Sequence, residues 1–319
     1  MSGQPTVEVL LATYNGERFL REQIDSILAQ DYAPVRILAS DDGSSDGTFA
    51  ILTEYAARDP DRFQILANPE PAGDPRWNFL GLLKASRAKF VCFCDQDDVW
   101  LPGKVSLSMR AMAELEREGS PLFPALVYTD LRVVDERLQT IAESQWKLHY
   151  TGPGRGGSLA LLLAQNGVTG CTALMNRALV DLAVRMPPEA EMHDYWVALV
   201  AAIFGASKGV REQTVLYRQH GRNAVGAGRG PRAYGVDQWR ERRRSSEAQA
   251  QALLRLYGAE MPAGKRRLIE AYLDCSRGKN ALMRVGSVFW HGFYVLGIRS
   301  NLAMLRYLWY VDPKDERLS

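Results

Sequence analysis

Asp95-Gln96-Asp97-Asp98 puts three carboxylates within four residues, directly after the apolar run Phe90–Cys94. Carboxylates are hard oxygen ligands. Mg²⁺ or Mn²⁺ takes one or two of them and completes its shell with phosphate oxygens. A solvated acidic turn ahead of the helix near Pro102 would use the same residues. Two other clusters favour the metal. Thr13-Tyr14-Asn15 ends the run Val7–Ala12, and Asp41-Asp42-Gly43-Ser44 ends Val35–Ser40. Asp42 can accept hydrogen bonds from a base or ribose, while the same loop also suits an Asx turn feeding a helix cap at Ser45 or Asp46.

Elements must bring these clusters together. Val7–Ala12, Val35–Ser40, Phe63–Ala67 and Phe90–Cys94 are short apolar runs that predict strands. Between them, Arg18–Ala29, a segment running to about Arg58 and Asn78–Ser86 carry helical spacing. This alternation predicts βαβ units and a largely parallel sheet whose strands are buried on both faces. In such a sheet the strand ends lie on one edge, where ligands bind. Gly103–Arg117 is a predicted helix and Ala125–Thr129 a strand. Beyond a Gly-rich connection at residues 152–157, Cys171–Met175 and Val215–Arg218 are predicted strands and Tyr195–Phe204 a helix. Gly226–Gly235 reads as a linker, followed by helical segments Asp237–Tyr257, Lys265–Arg277 and Leu282–Trp309.

A dinucleotide fold would need G-x-G-x-x-G after the first strand, and a P-loop would need G-x-x-x-x-G-K-[ST]. The chain has TYNGER there, with a single glycine. Glycine-rich backbone therefore does not cradle a diphosphate, and the acidic clusters point to a cation that neutralises it.

The 319 residues are 46% hydrophobic and 24% charged, ordinary for a globular chain. Net charge is +2, unevenly spread: residues 230–319 hold 16 Lys/Arg against 9 Asp/Glu, and the rest 23 against 28. A basic tail rich in aromatics suits an anionic membrane surface better than nucleic acid. Trp239, Arg242-Arg243-Arg244, Phe289, Trp290, Phe293 and Tyr294 are its candidate contacts; the same residues would equally serve a helical subdomain core or an oligomer interface. Cys92, Cys94, Cys171 and Cys275 include no CxxC pair, and reduced thiols are expected, with Cys92 and Cys94 on one strand face. The N-terminal residues lack a signal-peptide pattern. The apolar run between Arg284 and Arg299 is 14 residues, short of the roughly 20 a spanning helix needs. A cytoplasmic chain, peripheral on the inner face of the membrane, is expected.

The segments ATYNGERFLREQIDSILAQ, ASDDGSSDGT and CDQDDVWLPGK, in this order and spacing, resemble family 2 glycosyltransferases of the GT-A fold. NGVTGCT, MHDYW and LYRQHGRN resemble the same family, most closely its bacterial rhamnosyltransferase-like members. The resemblance spans about residues 5–225. It implies an α/β GT-A catalytic domain over 1–225, with a mostly parallel central sheet flanked by helices. The nucleotide-binding half would be about 1–130 and the acceptor half about 131–225, with a helical C-terminal extension over 226–319.

The resemblance also implies roles. Thr13, Tyr14 and Asn15 would line the nucleotide pocket. Asp42 would contact base or ribose, and Asp95 would lie near ribose and metal. Asp97 would be the main ligand of Mg²⁺ or Mn²⁺, with His220 near the diphosphate and metal. Asp98 would assist, and Arg218 would help stabilise the leaving group. Gly170, Cys171 and Thr172 would belong to an acceptor-side loop near the donor sugar. Asp194 matches the catalytic base, with an N-cap as its plainer role. The family often has Glu before this Asp, whereas this chain has His193, whose role stays open. The implied partners are a dTDP-, UDP- or GDP-linked sugar and a glycan or polyprenyl-linked acceptor. Inverting transfer of a sugar, rhamnose first, into a bacterial surface polysaccharide is the implied activity. A nucleotidyltransferase and a non-catalytic nucleotide-sugar or glycan-binding module are the alternatives.

Overall fold

Alternating apolar side chains build the first half of the sheet. In β1 (Val7–Thr13), Val9 and Leu11 point to one face and Leu10 to the other, and all three are buried. A computed structural model describes residues 4–68, 70–118, 122–149, 151–221, 236–275, 280–295 and 298–310. The expected linker at Gly226–Gly235 lies outside the described residues, as do Arg222 and Asn223 of the last motif.

The chain continues through α1 (Glu17–Leu28), β2 (Val35–Asp41), α2 (Thr48–Arg58), β3 (Phe63–Ile65), α3 (Pro75–Ala85) and β4 (Phe90–Cys94). β5 (Val99–Trp100), α4 (Lys104–Glu118), β6 (Ala125–Val134), β7 (Thr140–Ala142), α5 (Gln145–Leu148) and α6 (Leu159–Ala164) follow. Next come β8 (Leu174–Asn176), α7 (Arg177–Ala183), α8 (His193–Phe204) and β9 (Ala206–Arg218). The C-terminal helices are α9 (Val236–Tyr257), α10 (Ala263–Asp274), α11 (Ala281–His291) and α12 (Ile298–Tyr310).

The sheet order is β3-β2-β1-β4-β8-β6-β9-β5, with β7 on β6. β3, β2, β1 and β4 are mutually parallel, as their βαβ pattern requires. Beyond β4 the sheet is mixed: β8 is antiparallel to both β4 and β6, β9 is parallel to β6, and β5 is antiparallel to β9. Three predicted elements differ from this arrangement. Cys171 and Thr172 lie in a 3₁₀ turn (Gly170–Thr172) rather than in a strand. β9 is 13 residues long, because its pairing with β6 carries polar residues into the ladder. Leu282–Trp309 is two helices, broken at Gly292, whose φ of 75° is left-handed and ends α11.

Two cores flank the sheet. Cys92 and Cys94 share one face with Val9, Leu11 and Ile37 under α1, α2 and α4. On the other face, Leu10, Val91 and Phe93 meet α8, nearly all of whose residues are buried. Trp239, Tyr257, Tyr272, Phe293 and Tyr307 of the C-terminal region join this second core. All four cysteines are buried free thiols. Among the described residues, no helix is long and apolar enough to cross a membrane.

Candidate active site

β1 lies between β2 and β4, so the chain leaves it in both directions across the sheet. The crevice beyond such a switch point is where open α/β sheets bind ligands. The register pairs Thr13 with Asp41 and Leu11 with Cys94. The three polar strand ends therefore emerge side by side.

Hydrogen bonds lock these loops together. Thr13 is buried, and its Oγ1 donates to Asp41 Oδ1 at 2.9 Å. Asn15 has a left-handed φ of 48°, which asparagine tolerates better than most residues. Its backbone N–H donates to Ser44 Oγ at 2.8 Å, and its Oδ1 accepts from Ser45 N at 2.8 Å. Asp42 is buried; its Oδ1 accepts from Ala72 N at 2.8 Å and Asn68 Nδ2 at 3.3 Å. Thr13, Asn15 and Asp42 thus shape the crevice, while Tyr14 is the exposed side chain of the set, at 55%.

Gln96 has a role its sequence position did not suggest. Its Oε1 accepts from Tyr14 N and its Nε2 donates to Tyr14 O, both at 2.8 Å. This clamp ties the β1 exit to the acidic loop. A Cβ on Gly16 would fall 2.2 Å from Gln96 Oε1, so any larger residue there would displace the Gln96 side chain from this clamp.

Asp95 and Asp97 are half-buried, and Asp98 is wholly buried. His220 Nε2 lies 2.8 Å from Asp97 Oδ2, across 123 residues of sequence. The His220 ring centre is 5.1 Å from that of Phe19 on α1, a contact with no signal in the sequence beyond an apolar helix position. Ligand-type atoms of Asp95, Asp98 and Cys171 also lie within 4.8 Å of one another. Burial, then the neighbouring charges of Asp97 and Asp194, push the Asp95 carboxyl up to about 7. Burial and the charges of Asp97 and Asp95 push Asp98 well up too. A divalent cation would relieve this crowding, and carboxylates with one imidazole suit it. The residues present fit such an ion.

Arg218 does not face the crevice as a free cation. It is 2% exposed, and its protein partners occupy it. Its backbone N–H donates to Asp98 Oδ1 at 3.1 Å, its Nε to Asp97 O at 2.8 Å and its Nη1 to Glu136 O at 2.7 Å. Nη2 donates to Glu22 of α1, and the guanidinium sits 4.4 Å from the centre of the Phe19 ring. Arg218 therefore holds the acidic loop from below.

Asp194 stands in the first turn of α8, half-buried and not at its N-cap, which is Met192. Its Oδ2 accepts from Gly170 N at 2.8 Å; its Oδ1 accepts from Asn166 Nδ2 at 3.2 Å and Tyr195 N at 2.6 Å. Burial outweighs these bonds and pushes its carboxyl up to about 6. A Cβ on Gly170 would lie 3.1 Å from His193 Nε2 and 3.3 Å from Asp194 Cβ, so a side chain there would press on both residues. Cys171 and Thr172 are buried, and the Thr172 hydroxyl donates to Thr169 O at 2.7 Å. From this loop, Gly170 reaches Asp194 through its backbone.

His193 answers the question its sequence position raised. It is buried, stacked 4.0 Å from the Phe79 ring and edge-on to Phe93 at 4.7 Å. Burial drives its pKa down to about 3, so it is a neutral core ring. The crevice thus combines an acidic cluster that would suit a cation with a carboxylate of raised basicity, and Asp95 feels the charge of both Asp97 and Asp194. That combination suits proton removal next to a departing diphosphate.

The sequence profile described as Glycosyl transferase family 2 matches residues 8–181. The chain is 28% identical over 221 residues to the dTDP-rhamnosyl transferase RfbG of Shigella flexneri, covering 68% of this chain and 74% of RfbG. It is 33% identical over 110 residues to the GalNAc(5)-diNAcBac-PP-undecaprenol beta-1,3-glucosyltransferase of Campylobacter jejuni, covering 34% and 35%. Its fold is similar to TarS of S. aureus in complex with UDP-GlcNAc: TM-score 0.58, 14% identity, covering 95% of this chain and 87% of that one. It is also similar to the mannosyltransferase PcManGT of Pyrobaculum calidifontis in complex with GDP-Man and Mn²⁺: TM-score 0.53, 16% identity, covering 96% and 86%. These matches favour glycosyl transfer over nucleotidyl transfer and over a binding module without catalysis. The chain belongs to glycosyl transferase family 2 and is a glycosyltransferase of the GT-A fold.

Proposed function

We propose that this glycosyltransferase is inverting and metal-dependent, that it uses dTDP-rhamnose, and that it extends a glycan or polyprenyl-linked acceptor during bacterial surface polysaccharide synthesis, such as O-antigen, capsule or exopolysaccharide. The observation that carries this reading is Asp194: a carboxylate held by Gly170 N and Asn166 Nδ2, raised to about 6, and electrostatically linked to the Asp95–Asp97 cluster. A base of that pKa is mostly ionised at neutral pH yet more basic than an ordinary aspartate.

In this reading Asp194 takes the proton of an acceptor hydroxyl. The freed oxygen pair attacks the anomeric carbon, and the carbon–oxygen bond to the diphosphate breaks with its electrons leaving on the nucleoside diphosphate. Attack from the opposite face inverts configuration and needs no covalent enzyme intermediate. Asp95, Asp97 and His220 would hold the cation, which when bound neutralises charge on the leaving diphosphate. Tyr14, Asn15 and Asp42 shape the nucleotide pocket. Support for rhamnose comes from the likeness to RfbG. A lipid-linked acceptor, and with it a cytoplasmic protein peripheral on the membrane, draws support from the likeness to the Campylobacter PP-undecaprenol glucosyltransferase.

The test is a panel of dTDP-, UDP- and GDP-sugars, read by nucleoside diphosphate release with Mg²⁺, Mn²⁺ or excess chelator. Metal-dependent release of dTDP from dTDP-rhamnose is expected. Turnover confined to another sugar nucleotide removes the donor assignment, and full turnover in chelator removes the metal. A product with the donor's anomeric configuration excludes inversion.

A further inference from the structure

Helices of globular proteins turn their apolar stripe inward and their polar face to water. In α11 the order is reversed. Leu282 and Trp290 are 72% and 86% exposed, and Met283, Gly286 and Phe289 are exposed beside them. At helical spacing these five positions form one stripe about 120° wide. The one charged side chain of the helix, Arg284, points the other way. It is buried, and its Nε donates to Leu308 O at 2.6 Å, near the end of α12.

The next helix, α12, also carries an exposed apolar stripe. Met304, Tyr307 and Leu308 of α12 face the core, while Leu302, Trp309 and Tyr310 are exposed in one stripe with Arg306. The charge is one-sided as well. Between Asp274 and Asp312 the chain has no acidic residue but has Arg277, Lys279, Arg284, Arg299 and Arg306. Arg284 is turned inward, so among the described residues of the two helices Arg306 is the exposed cation; exposed aromatics beside it, with no acidic residue between Asp274 and Asp312, match a layer of anionic headgroups over acyl chains. Of the other tail candidates, Trp239, Phe293 and Arg243 are buried, Arg243 lying 3.9 Å from the centre of the Tyr272 ring, while Arg242 is half-buried and Arg244 and Tyr294 are exposed.

This surface connects to the candidate base. The Phe289 ring contacts Tyr294 at 6.1 Å between centres, and Tyr294 O accepts from Arg155 Nη2 at 3.0 Å. The Arg155 side chain lies against Gly167, where a Cβ would come 2.8 Å from Arg155 Cγ. Gly167 adjoins Asn166, which binds Asp194.

We propose that the outward stripes of α11 and α12 seat on an anionic bilayer and hold the Asn166–Gly170 loop at the membrane face. The purpose of this surface rests on the lipid-linked acceptor reading; the binding itself does not. Co-sedimentation of the full chain with phosphatidylglycerol/phosphatidylcholine vesicles, against phosphatidylcholine alone, tests it. The wild type should partition onto the anionic vesicles. The double variant Leu282→Ser, Trp290→Ser should bind about tenfold or more weakly, as loss of two inserted apolar side chains requires. Arg306→Glu should weaken binding in a salt-dependent way. Both should keep nucleoside diphosphate release from a soluble donor, since neither site touches the crevice. A wild type that stays in the supernatant, or a double variant that binds as well as wild type, overturns the proposal. So does a dimer in light scattering that the double variant dissociates, with no vesicle binding, because the stripe then belongs to a second copy. Vesicle binding without any transfer leaves the surface standing and removes the transfer reading; transfer without vesicle binding does the reverse.

Discussion

Gly170 N–H donates to Asp194 Oδ2 at 2.8 Å, tying the 3₁₀ turn before β8 to the first turn of α8. This bond and that from Asn166 lower the carboxyl's pKa, while burial raises it further, to about 6. If Asp194 is the base, log(kcat/KM) should fall below about pH 6 with unit slope. Asp194→Asn should lower kcat by roughly 10²–10⁴-fold with little change in donor binding. Asn166→Ala removes a bond that favours the charged form, so the acid limb should move to higher pH. A limb that stays in place in that variant would detach the profile from Asp194.

The same burial has a cost in stability. The folded-state pKa of Asp194 lies above the ordinary aspartate value of 3.8, so its ionised form is less favourable in the folded chain than in the unfolded one. The penalty is absent well below pH 3.8 and complete above about 6. At pH 7, Asp194→Asn should therefore raise Tm, and the gain should shrink as pH falls toward 4. Paired thermal melts across that range check both the sign and the window.

Arg218 should behave as a positioning residue. Arg218→Ala removes donors to Asp97 O, Glu136 O and Glu22 and leaves a void against Phe19. Broken buried networks of this kind cost roughly 2–4 kcal/mol. Arg218→Lys should not restore it, since an ammonium cannot reproduce the planar fork. Calorimetry should show the stability loss. Titration of Mn²⁺ binding should show weaker affinity even at temperatures where the variant stays folded. Undiminished metal affinity would limit Arg218 to a purely structural role.

Removal of the cation and removal of its ligands should agree. Excess chelator should abolish turnover, and added Mn²⁺ or Mg²⁺ should restore it. Asp97→Asn and His220→Ala should each raise the metal concentration needed for half activity, since they meet at 2.8 Å. Their double variant should show less than the product of the single effects, as expected for two ligands of one ion. Strict multiplicativity would place them in separate sites.

The parallel half of the molecule was legible because burial on both sheet faces writes itself as continuous apolar runs. β1, β2 and β4 stand where Val7–Ala12, Val35–Ser40 and Phe90–Cys94 led one to expect them. β9 was recognised only at its last four residues. On its partly exposed stretch Lys208 pairs with Val127, and Arg211 and Glu212 fall at the register irregularity between Val210 and Gln213, so pairing with β6 on either side, and not an apolar pattern, carries the strand through them. Gly292 did carry a stop signal within the last helical segment, but the flanking apolar residues masked it.

By itself the sequence determined the strand-end clusters, their order and, through them, the family. The fold decided which chemically similar residues face in and which face out. Trp239 is buried and Trp290 is exposed; His193 is a neutral core ring and His220 meets Asp97. Arg218, read as a cation for the leaving group, became the support beneath Asp97 and Asp98. The reason is physical. Strand formation follows local periodicity, but the solvation and charge of a side chain depend on what packs around it, and those partners come from distant parts of the chain.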